Sequence, residues 1–242
     1  MTTQPQLHPR ALISGLTISV IGALFYNVLP LFVGTAQDSL SLTNLEAGTL
    51  GTAFFIGYNL VTLASFFWID RYSWRTLTLA WLIFSLLMLA AITTTQTYWI
   101  ITILVAGAGG GFAALYAIGT AVIAQSNDPT RWYGVKIAVE AIPGAALLIL
   151  LPTTLIARYG FDGMIMGLGF ATAILALGLR WLPAGSSSVA ATSEQDQPQK
   201  SDVQKLPVII ALFGCFLFFT AASGIWAFLE RIGSAMQFSP NA

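Results

Sequence analysis

Long apolar runs separated by short polar segments make up most of this chain. Each run has about 20 residues or more, the length that a helix needs to cross roughly 30 Å of hydrocarbon. Because lipid offers backbone amides no hydrogen-bond partner, each run is expected to be a helix. The pattern therefore predicts seven membrane-spanning helices, over residues 11–33, 47–69, 75–95, 98–124, 132–157, 163–182 and 206–229.

The polar segments between the runs contain signals that start helices. The segment "SLTNLE" places Thr43 before the second run and Glu46 three residues later, which is the spacing of a capping box. The segment "SNDPTRW" offers Asp128 as an N-cap, with Pro129 at the first helical position of the fifth run. These short connections predict that successive helices are antiparallel neighbours.

One connection is different in length and composition. Residues 183–205, "PAGSSSVAATSEQDQPQKSDVQK", are rich in Ser, Gln and Ala and carry charges of both signs, which predicts a flexible linker. The chain is thus expected to consist of a tail over 1–10, a six-helix bundle over 11–182, the linker 183–205, and a seventh helix that begins a further unit over 206–242.

Composition supports a membrane protein and excludes several other classes. The chain is 56% hydrophobic and 8% charged, whereas a soluble domain has about 25% charged residues. Ten basic and ten acidic residues balance, so the charge indicates no nucleic-acid partner. The single cysteine, Cys215, and the single histidine, His8, argue against a disulfide framework, a metal site or a haem. The expected partner is the lipid bilayer, and no cofactor is expected.

The basic residues predict the orientation of the chain. If the amino terminus is cytoplasmic, only Arg158 and Arg231 lie outside. The other basic residues then lie inside or at the inner surface, as the positive-inside rule requires: Arg10, Arg71, Arg75, Arg131, Lys136, Arg180, Lys200 and Lys205. A cytoplasmic amino terminus in a plasma membrane or a bacterial inner membrane is therefore predicted.

Glu140 is the most informative single residue, because it lies inside the fifth run. A carboxyl group within the membrane costs at least ~2.5 kcal/mol on insertion scales, so it normally faces a cavity or a partner. Two interpretations remain open. Glu140 faces a central cavity and contributes to substrate binding or proton coupling, or it makes a structural hydrogen bond or an ion pair with Lys136 one turn earlier.

Other polar and aromatic residues within the runs are candidate cavity residues: Tyr26 and Asn27 in the first, Tyr58 and Asn59 in the second, and Tyr116 in the fourth. Each of them alone is also compatible with simple packing. Together they predict a cavity of modest polarity with aromatic walls, which suits an amphipathic or organic solute. Trp226 and Phe228 fit such a cavity or an interfacial aromatic belt equally well.

Small residues in the fourth and fifth runs predict close helix contacts and a bend. Gly107, Gly109 and Gly111 in "VAGAGGGFAALYAIG" leave room for a neighbouring backbone, so packing is their first interpretation. Pro143, followed by Gly144, lies near the middle of the fifth run and predicts a kink there.

The connection between the second and third runs, "FFWIDRYSWRT", carries three charges at Asp70, Arg71 and Arg75. Their spacing resembles the hallmark Gly-x-x-x-Asp-Arg-x-Gly-Arg-Arg of the major facilitator superfamily. The resemblance implies that Asp70 and Arg71 latch a cytoplasmic gate and that Arg75 makes a supporting contact. A simpler interpretation is that both arginines anchor the topology and that Asp70 ends its helix.

The sequence departs from that hallmark at three positions, where Phe66, Ser73 and Trp74 replace the first Gly, the second Gly and the first Arg of the closing pair. In the fourth run, Gly107, Gly109 and Gly111 match a Gly-x-Gly-x-Gly pattern of the same family, but Ile103 stands where the family often has Arg. Coupling schemes that rely on that arginine are therefore not carried over.

The order of the helices also resembles this superfamily, which passes from six helices through a polar linker to a seventh. The resemblance implies an all-α membrane fold, with a six-helix bundle of two inverted three-helix repeats plus a seventh transmembrane helix. In such repeats, the turn between helices five and six is the counterpart of the turn between two and three. That turn reads "ARYGFDG" here, so a charged, aromatic turn recurs where the repeat predicts one.

The resemblance implies a secondary transporter, not an enzyme, that moves a small organic solute by alternating access along a gradient, with a proton as a candidate coupling ion. The family usually has twelve helices, so we expect a truncated product that lacks its carboxy-terminal bundle. Two alternatives stay open, a seven-helix receptor or sensor and an inert transporter fragment. An intramembrane enzyme ranks last, since it should display a cluster of His, Cys or paired carboxylates in the runs, and Glu140 stands alone there.

Overall fold

The computed structural model describes residues 9–182 and 205–236, and the described part is built from helices. Residues 1–8 of the predicted tail and 183–204 of the predicted linker lie outside it. The helices are α1 Pro9–Leu40, α2 Asn44–Trp68, α3 Trp74–Ile92, α4 Tyr98–Ala124, α5 Pro129–Leu151, α6 Ala157–Ala176, α7 Lys205–Ala227 and α8 Leu229–Ala235. A π-helical turn, Pro152–Ile156, joins α5 to α6, and a 3-10 segment, Leu177–Trp181, follows α6. The predicted all-α membrane fold is confirmed.

Six helical segments within the described residues are long and apolar enough to span a membrane, and one of them, Pro129–Trp181, contains both the fifth and the sixth predicted runs. The chain reverses inside this segment at Gly160, whose φ of 56° lies in the region that favours glycine. After the reversal, a Cβ at Gly163 would overlap the carbonyl oxygen of Leu155. The predicted connection over 158–162 is thus reduced to one non-helical residue between two antiparallel helices.

The helix starts predicted from the polar segments are present. Thr43 caps α2, and its backbone N–H donates to the Glu46 carboxylate at 2.8 Å while its hydroxyl accepts from the Glu46 N–H at 3.3 Å. At α5, the Asp128 carboxylate accepts from the backbone N–H of Arg131 at 3.1 Å. Both segments therefore satisfy backbone donors that a helix start otherwise leaves without a partner.

The first helix is longer than the predicted 11–33, because α1 continues to Leu40. Its last turns are polar and gain contacts outside the apolar core. The Gln37 amide donates to the Asn44 side-chain oxygen at 2.8 Å. The helix ends next to Ser41, which has a φ of 53°. An apolar run marks only the part of a helix that lies in lipid, so this extension was not predicted.

The two central helices of the bundle are α1 and α4. Their most apolar 18-residue windows are 72% and 61% buried, against 22–28% for the spans of α2, α3 and α5–α6. Phe25 of α1 fills the centre, with its ring centroid 4.8 Å from that of Phe54 in α2 and 5.6 Å from that of Phe112 in α4. The remaining spans therefore surround these two and turn one side outward, toward lipid.

The glycines of α4 lie at its closest helix contacts. A Cβ at Gly109 would overlap the carbonyl oxygen of Phe54, and one at Gly111 would overlap the Ser85 hydroxyl. A Cβ at Gly107 would lie 3.0 Å from the Met88 sulfur. All three positions thus serve the close packing that their sequence pattern favours.

Candidate functional site

A buried ion pair lies within α5. The Lys136 Nζ is 2.8 Å from the Glu140 Oε1, one helical turn away. Lys136 is 3% exposed and Glu140 is 7% exposed. The pair that the sequence offered as one interpretation of Glu140 is therefore present. The Lys136 side chain is packed among the helices and not exposed at their surface.

Helix α1 contacts Glu140 of this pair through two side chains. The Ser19 hydroxyl donates to the Glu140 carboxylate. The Asn27 amide donates to the backbone carbonyl oxygen of Glu140 at 2.9 Å. A Cβ at Gly144 would lie 2.6 Å from the Asn27 Cβ, so only a glycine there lets α5 approach α1 this closely. Ser19 of α1 thus holds the carboxylate of Glu140, and Asn27 holds the backbone of the same residue.

Aromatic side chains surround the charged atoms. The Lys136 Nζ lies 3.8 Å from the centroid of the Tyr116 ring, within the range of a cation–π contact. The Tyr116 ring in turn lies 6.3 Å from that of Tyr58. A charged group and two phenol rings, contributed by α2, α4 and α5, therefore share one site.

The Tyr26 side chain connects this region to α7. Its ring stacks on that of Trp226 at a centroid distance of 6.3 Å. The Trp226 indole N–H donates to the Tyr26 carbonyl oxygen at 2.9 Å. Trp226 therefore contacts the bundle. Of the two interpretations offered by the sequence, a cavity residue and an interfacial belt, this contact favours the first.

A second contact joins the end of α1 to α8. The Arg231 guanidinium donates to the Asp38 carboxylate at 2.7 Å and also to the Gly34 carbonyl oxygen. Nearby, the Phe228 ring covers Gly48 of α2. Described side chains in the first half of α7, such as Phe213, are exposed. The described part of α7–α8 thus contacts the bundle mainly at its far end.

Some predicted residues lie away from this cluster. Asn59 is exposed, and its amide donates to the Phe55 carbonyl oxygen of its own helix at 2.9 Å. Pro143 lies within α5, which stays helical on both sides of it, and the departure from α-helical geometry begins at Pro152. These two residues are therefore not among the side chains that surround the ion pair.

The charged turn with Asp70, Arg71 and Arg75 is exposed at the end of α2 and the start of α3. Trp74 fixes its shape. That side chain is 1% exposed, and its indole N–H donates to the Ile69 carbonyl oxygen at 3.0 Å. In the sequence, Trp74 stands out only as a departure from the family hallmark. In the structure, its side chain holds the turn against the bundle.

Ser19 was not predicted as a site residue. Lys136 was predicted only as one possible partner of Glu140 and not as a site residue in its own right. The i, i+4 spacing of Lys136 and Glu140 was a usable signal for their pair. Nothing in the sequence selects Ser19 among the small polar residues of α1. Its contact depends on which face of α1 meets α5.

The arrangement combines two complementary groups in a low-dielectric setting. The Glu140 carboxylate accepts hydrogen bonds, and the Lys136 ammonium has three donors with which it can hold an anionic group. Because α1, α4 and α5 all contribute, a change in the charge of either group alters contacts between helices.

The comparisons with known proteins identify a family. A family model described as Major Facilitator Superfamily matches residues 14–242. No curated protein and no solved structure matches the chain. The matched range includes all of the described residues from early α1 onward, so it covers every residue of the cluster above.

Proposed function

The chain belongs to the major facilitator superfamily, whose members are membrane transporters, and from this premise we propose that it is a secondary active carrier that moves a small organic solute by alternating access. The observation that carries the proposal is the buried ion pair of Lys136 and Glu140, held against α1 by Ser19 and Asn27. The transported solute would bind next to this pair.

The cost of the ion pair supports a functional role. Ionisable side chains inside a membrane protein are expensive and normally mark substrate or proton pathways. Replacing a buried ion pair by two apolar side chains of similar size is often neutral or stabilising, so stability alone does not account for the pair. The phenol rings of Tyr58 and Tyr116 beside the pair suit the apolar part of an organic solute.

The geometry suggests how a solute and a proton are coupled. A solute with an anionic group competes with Glu140 for the Lys136 ammonium. Once separated from Lys136, the Glu140 carboxylate takes up a proton, because a lone charge in this buried position is unfavourable. Solute and proton then bind together, and release of one favours release of the other.

We expect Glu140→Gln to abolish the pH dependence of transport. In the proposed scheme, each transport cycle of the wild type binds and releases a proton at Glu140, so its uptake depends on pH. The amide cannot exchange a proton, so uptake should become flat with pH and fall by roughly tenfold or more. Uptake into proteoliposomes across a pH series measures both effects.

The matched control is Asp162→Asn, which neutralises an exposed carboxyl group near the Gly160 reversal. This variant should keep the wild-type rate and pH profile. If Glu140→Gln also kept both, Glu140 would have no part in coupling.

Alternating access needs contacts that form at one end of the carrier and break during transport. The Arg231–Asp38 pair and the Trp226–Tyr26 stack support a closed end between α1 and α7–α8. At the opposite end, the turn of Asp70, Arg71 and Arg75 would form the second gate as the halves rock. The end where α1 begins is proposed to be cytoplasmic.

Linking α1 to α8 should stop transport if this end opens during the cycle. We expect Asp38→Cys with Arg231→Cys, in a Cys215→Ser background, to lose uptake after treatment with a short, reducible bifunctional thiol reagent. Uptake should return on reduction. The control pair Gln37→Cys with Asn44→Cys joins residues that already contact each other across the α1–α2 connection. Cross-linking that pair should leave uptake unchanged, and equal results for both pairs would argue against a moving gate.

A further inference from the structure

A groove of about 560 Å³ lies between α3 and the 3-10 segment that follows α6, away from the Lys136–Glu140 pair. Its α3 wall is formed by Arg75, Thr78, Leu79 and Leu82. These positions are spaced i, i+3, i+4 and i+7, so they share one face of the helix. Arg75 is at the end of that face nearest to the start of α3, and the leucines follow along the helix.

The opposite wall is set by the 3-10 segment. Leu177 and Arg180 both line the groove, and residues three apart are aligned in a 3-10 helix. The segment is fixed from behind by α1, because the Ser14 hydroxyl donates to the Gly178 carbonyl oxygen at 3.2 Å. A Cβ at Gly178 would lie 2.9 Å from the Thr17 side chain. This wall is therefore held in place by the bundle.

The position of the groove in the bundle suits the surface of a bilayer. It is at the end of the bundle where α1 and α3 begin and α6 ends. The Arg180 guanidinium lies 4.1 Å from the centroid of the Trp181 ring, and tryptophan is enriched at membrane–water interfaces. Two guanidinium groups thus lie at the water end of a groove whose other lining residues are mostly apolar.

Thr78 adds an unused donor inside the groove. It is 1% exposed, and its hydroxyl has no hydrogen-bond partner among the described residues. Buried hydroxyl groups normally have a partner, since leaving one unpaired is unfavourable. A polar ligand atom that enters the groove would give this donor its partner.

We propose that this groove binds an anionic phospholipid of the surrounding leaflet. Its phosphodiester would lie between Arg75 and Arg180, since guanidinium groups bind phosphate oxygens with two parallel hydrogen bonds. Thr78 would donate to an ester oxygen below the phosphate, and an acyl chain would follow Leu79 and Leu82. Basic pockets between transmembrane helices bind lipid headgroups in this way. The site is independent of the solute that the carrier moves.

The test compares the binding of two lipids to the purified chain in a neutral detergent, by native mass spectrometry. Dioleoyl phosphatidylglycerol should bind at least about tenfold more tightly than dioleoyl phosphatidylcholine, because two arginines each favour the anion by about fivefold. Arg75→Gln and Arg180→Gln should each weaken phosphatidylglycerol binding by about that fivefold factor. Arg158→Gln, an exposed arginine at the other end of the bundle, should not.

Thr78→Val separates binding from folding, because its two effects have opposite signs. The melting temperature of the lipid-free protein should rise, since the unpaired hydroxyl is removed. The further rise on adding phosphatidylglycerol should become smaller than in the wild type. Equal binding of both lipids, or equal behaviour of the Arg75, Arg180 and Arg158 variants, would overturn the proposal. Inorganic phosphate that raised the melting temperature as much as the lipid would also overturn it.

Discussion

Replacing Glu140 alone by leucine is expected to destabilise the bundle by about 3 kcal/mol, because it leaves a buried ammonium group without its counter-ion. Lys136 is 3% exposed, so water cannot take the place of the carboxylate without a local rearrangement. Lys136→Met alone should also destabilise the protein, because the carboxylate then keeps only its hydrogen bond from Ser19. Both single variants should melt earlier than the wild type in detergent.

The double variant with Lys136→Met and Glu140→Leu distinguishes stability from function. Replacing both partners of a buried ion pair by apolar residues of similar volume is often neutral or stabilising. We therefore expect the double variant to recover most of the lost stability, while uptake into proteoliposomes stays absent. Uptake by the double variant at the wild-type rate would mean that the pair is only structural. If both single variants were as stable as the wild type, neither charged group would need the other as its counter-ion in the folded protein.

The second large effect is expected at the contact between α2 and α4. A Cβ at Gly57 would overlap the carbonyl oxygen of Ala106, and a Cβ at Gly109 would overlap that of Phe54. In both cases the neighbouring atom belongs to a backbone, which cannot rotate away as a side chain can. Gly57→Ala and Gly109→Ala should each cost about 2–3 kcal/mol by forcing the helices apart.

The control for these variants is Gly169→Ala in α6, where a Cβ would have nothing within 4 Å. Here alanine should be neutral or should stabilise the helix by up to about 1 kcal/mol, because it has the higher helix propensity. Melting temperature and the yield of folded protein from membranes measure all three variants. If Gly57→Ala were as stable as Gly169→Ala, the close approach of α2 and α4 would not contribute to folding.

The number and type of the helices could be predicted, because an apolar run of sufficient length has few alternatives in lipid. Their ends could be predicted only where a side chain marks them, as Thr43 and Asp128 do. The polar turns of α1 beyond Val33 give no apolar signal. A turn was predicted over residues 158–162, but its reduction to a single positive φ angle at Gly160 was not, because the sequence does not reveal how few residues a turn needs.

The site could be predicted in part. Glu140, Asn27 and Tyr116 stand out because polar and ionisable groups inside an apolar run need partners, and the structure gives each of them a contact near α5. Asn59 follows Tyr58 in sequence, but neighbouring residues are about 100° apart around a helix. Tyr58 therefore points toward Tyr116 while Asn59 points outward. Which faces meet is decided by small residues such as Gly144, and a single sequence does not tell which of many glycines takes that role.

The one-residue reversal at Gly160 also affects how this part of the chain enters the membrane. A conventional loop would let the insertion machinery release α5 into the bilayer before α6 is made. With so short a connection, we expect the two helices to be released together as a hairpin, in which Gly163 lies against Leu155 as it does in the finished bundle. Arg158 and Asp162 flank the reversal, so a cation and an anion would cross the hydrocarbon as a neutral tip. A residue other than glycine at 160 would strain this tip, since its φ is 56°, and we expect such a variant to give a lower yield of inserted protein.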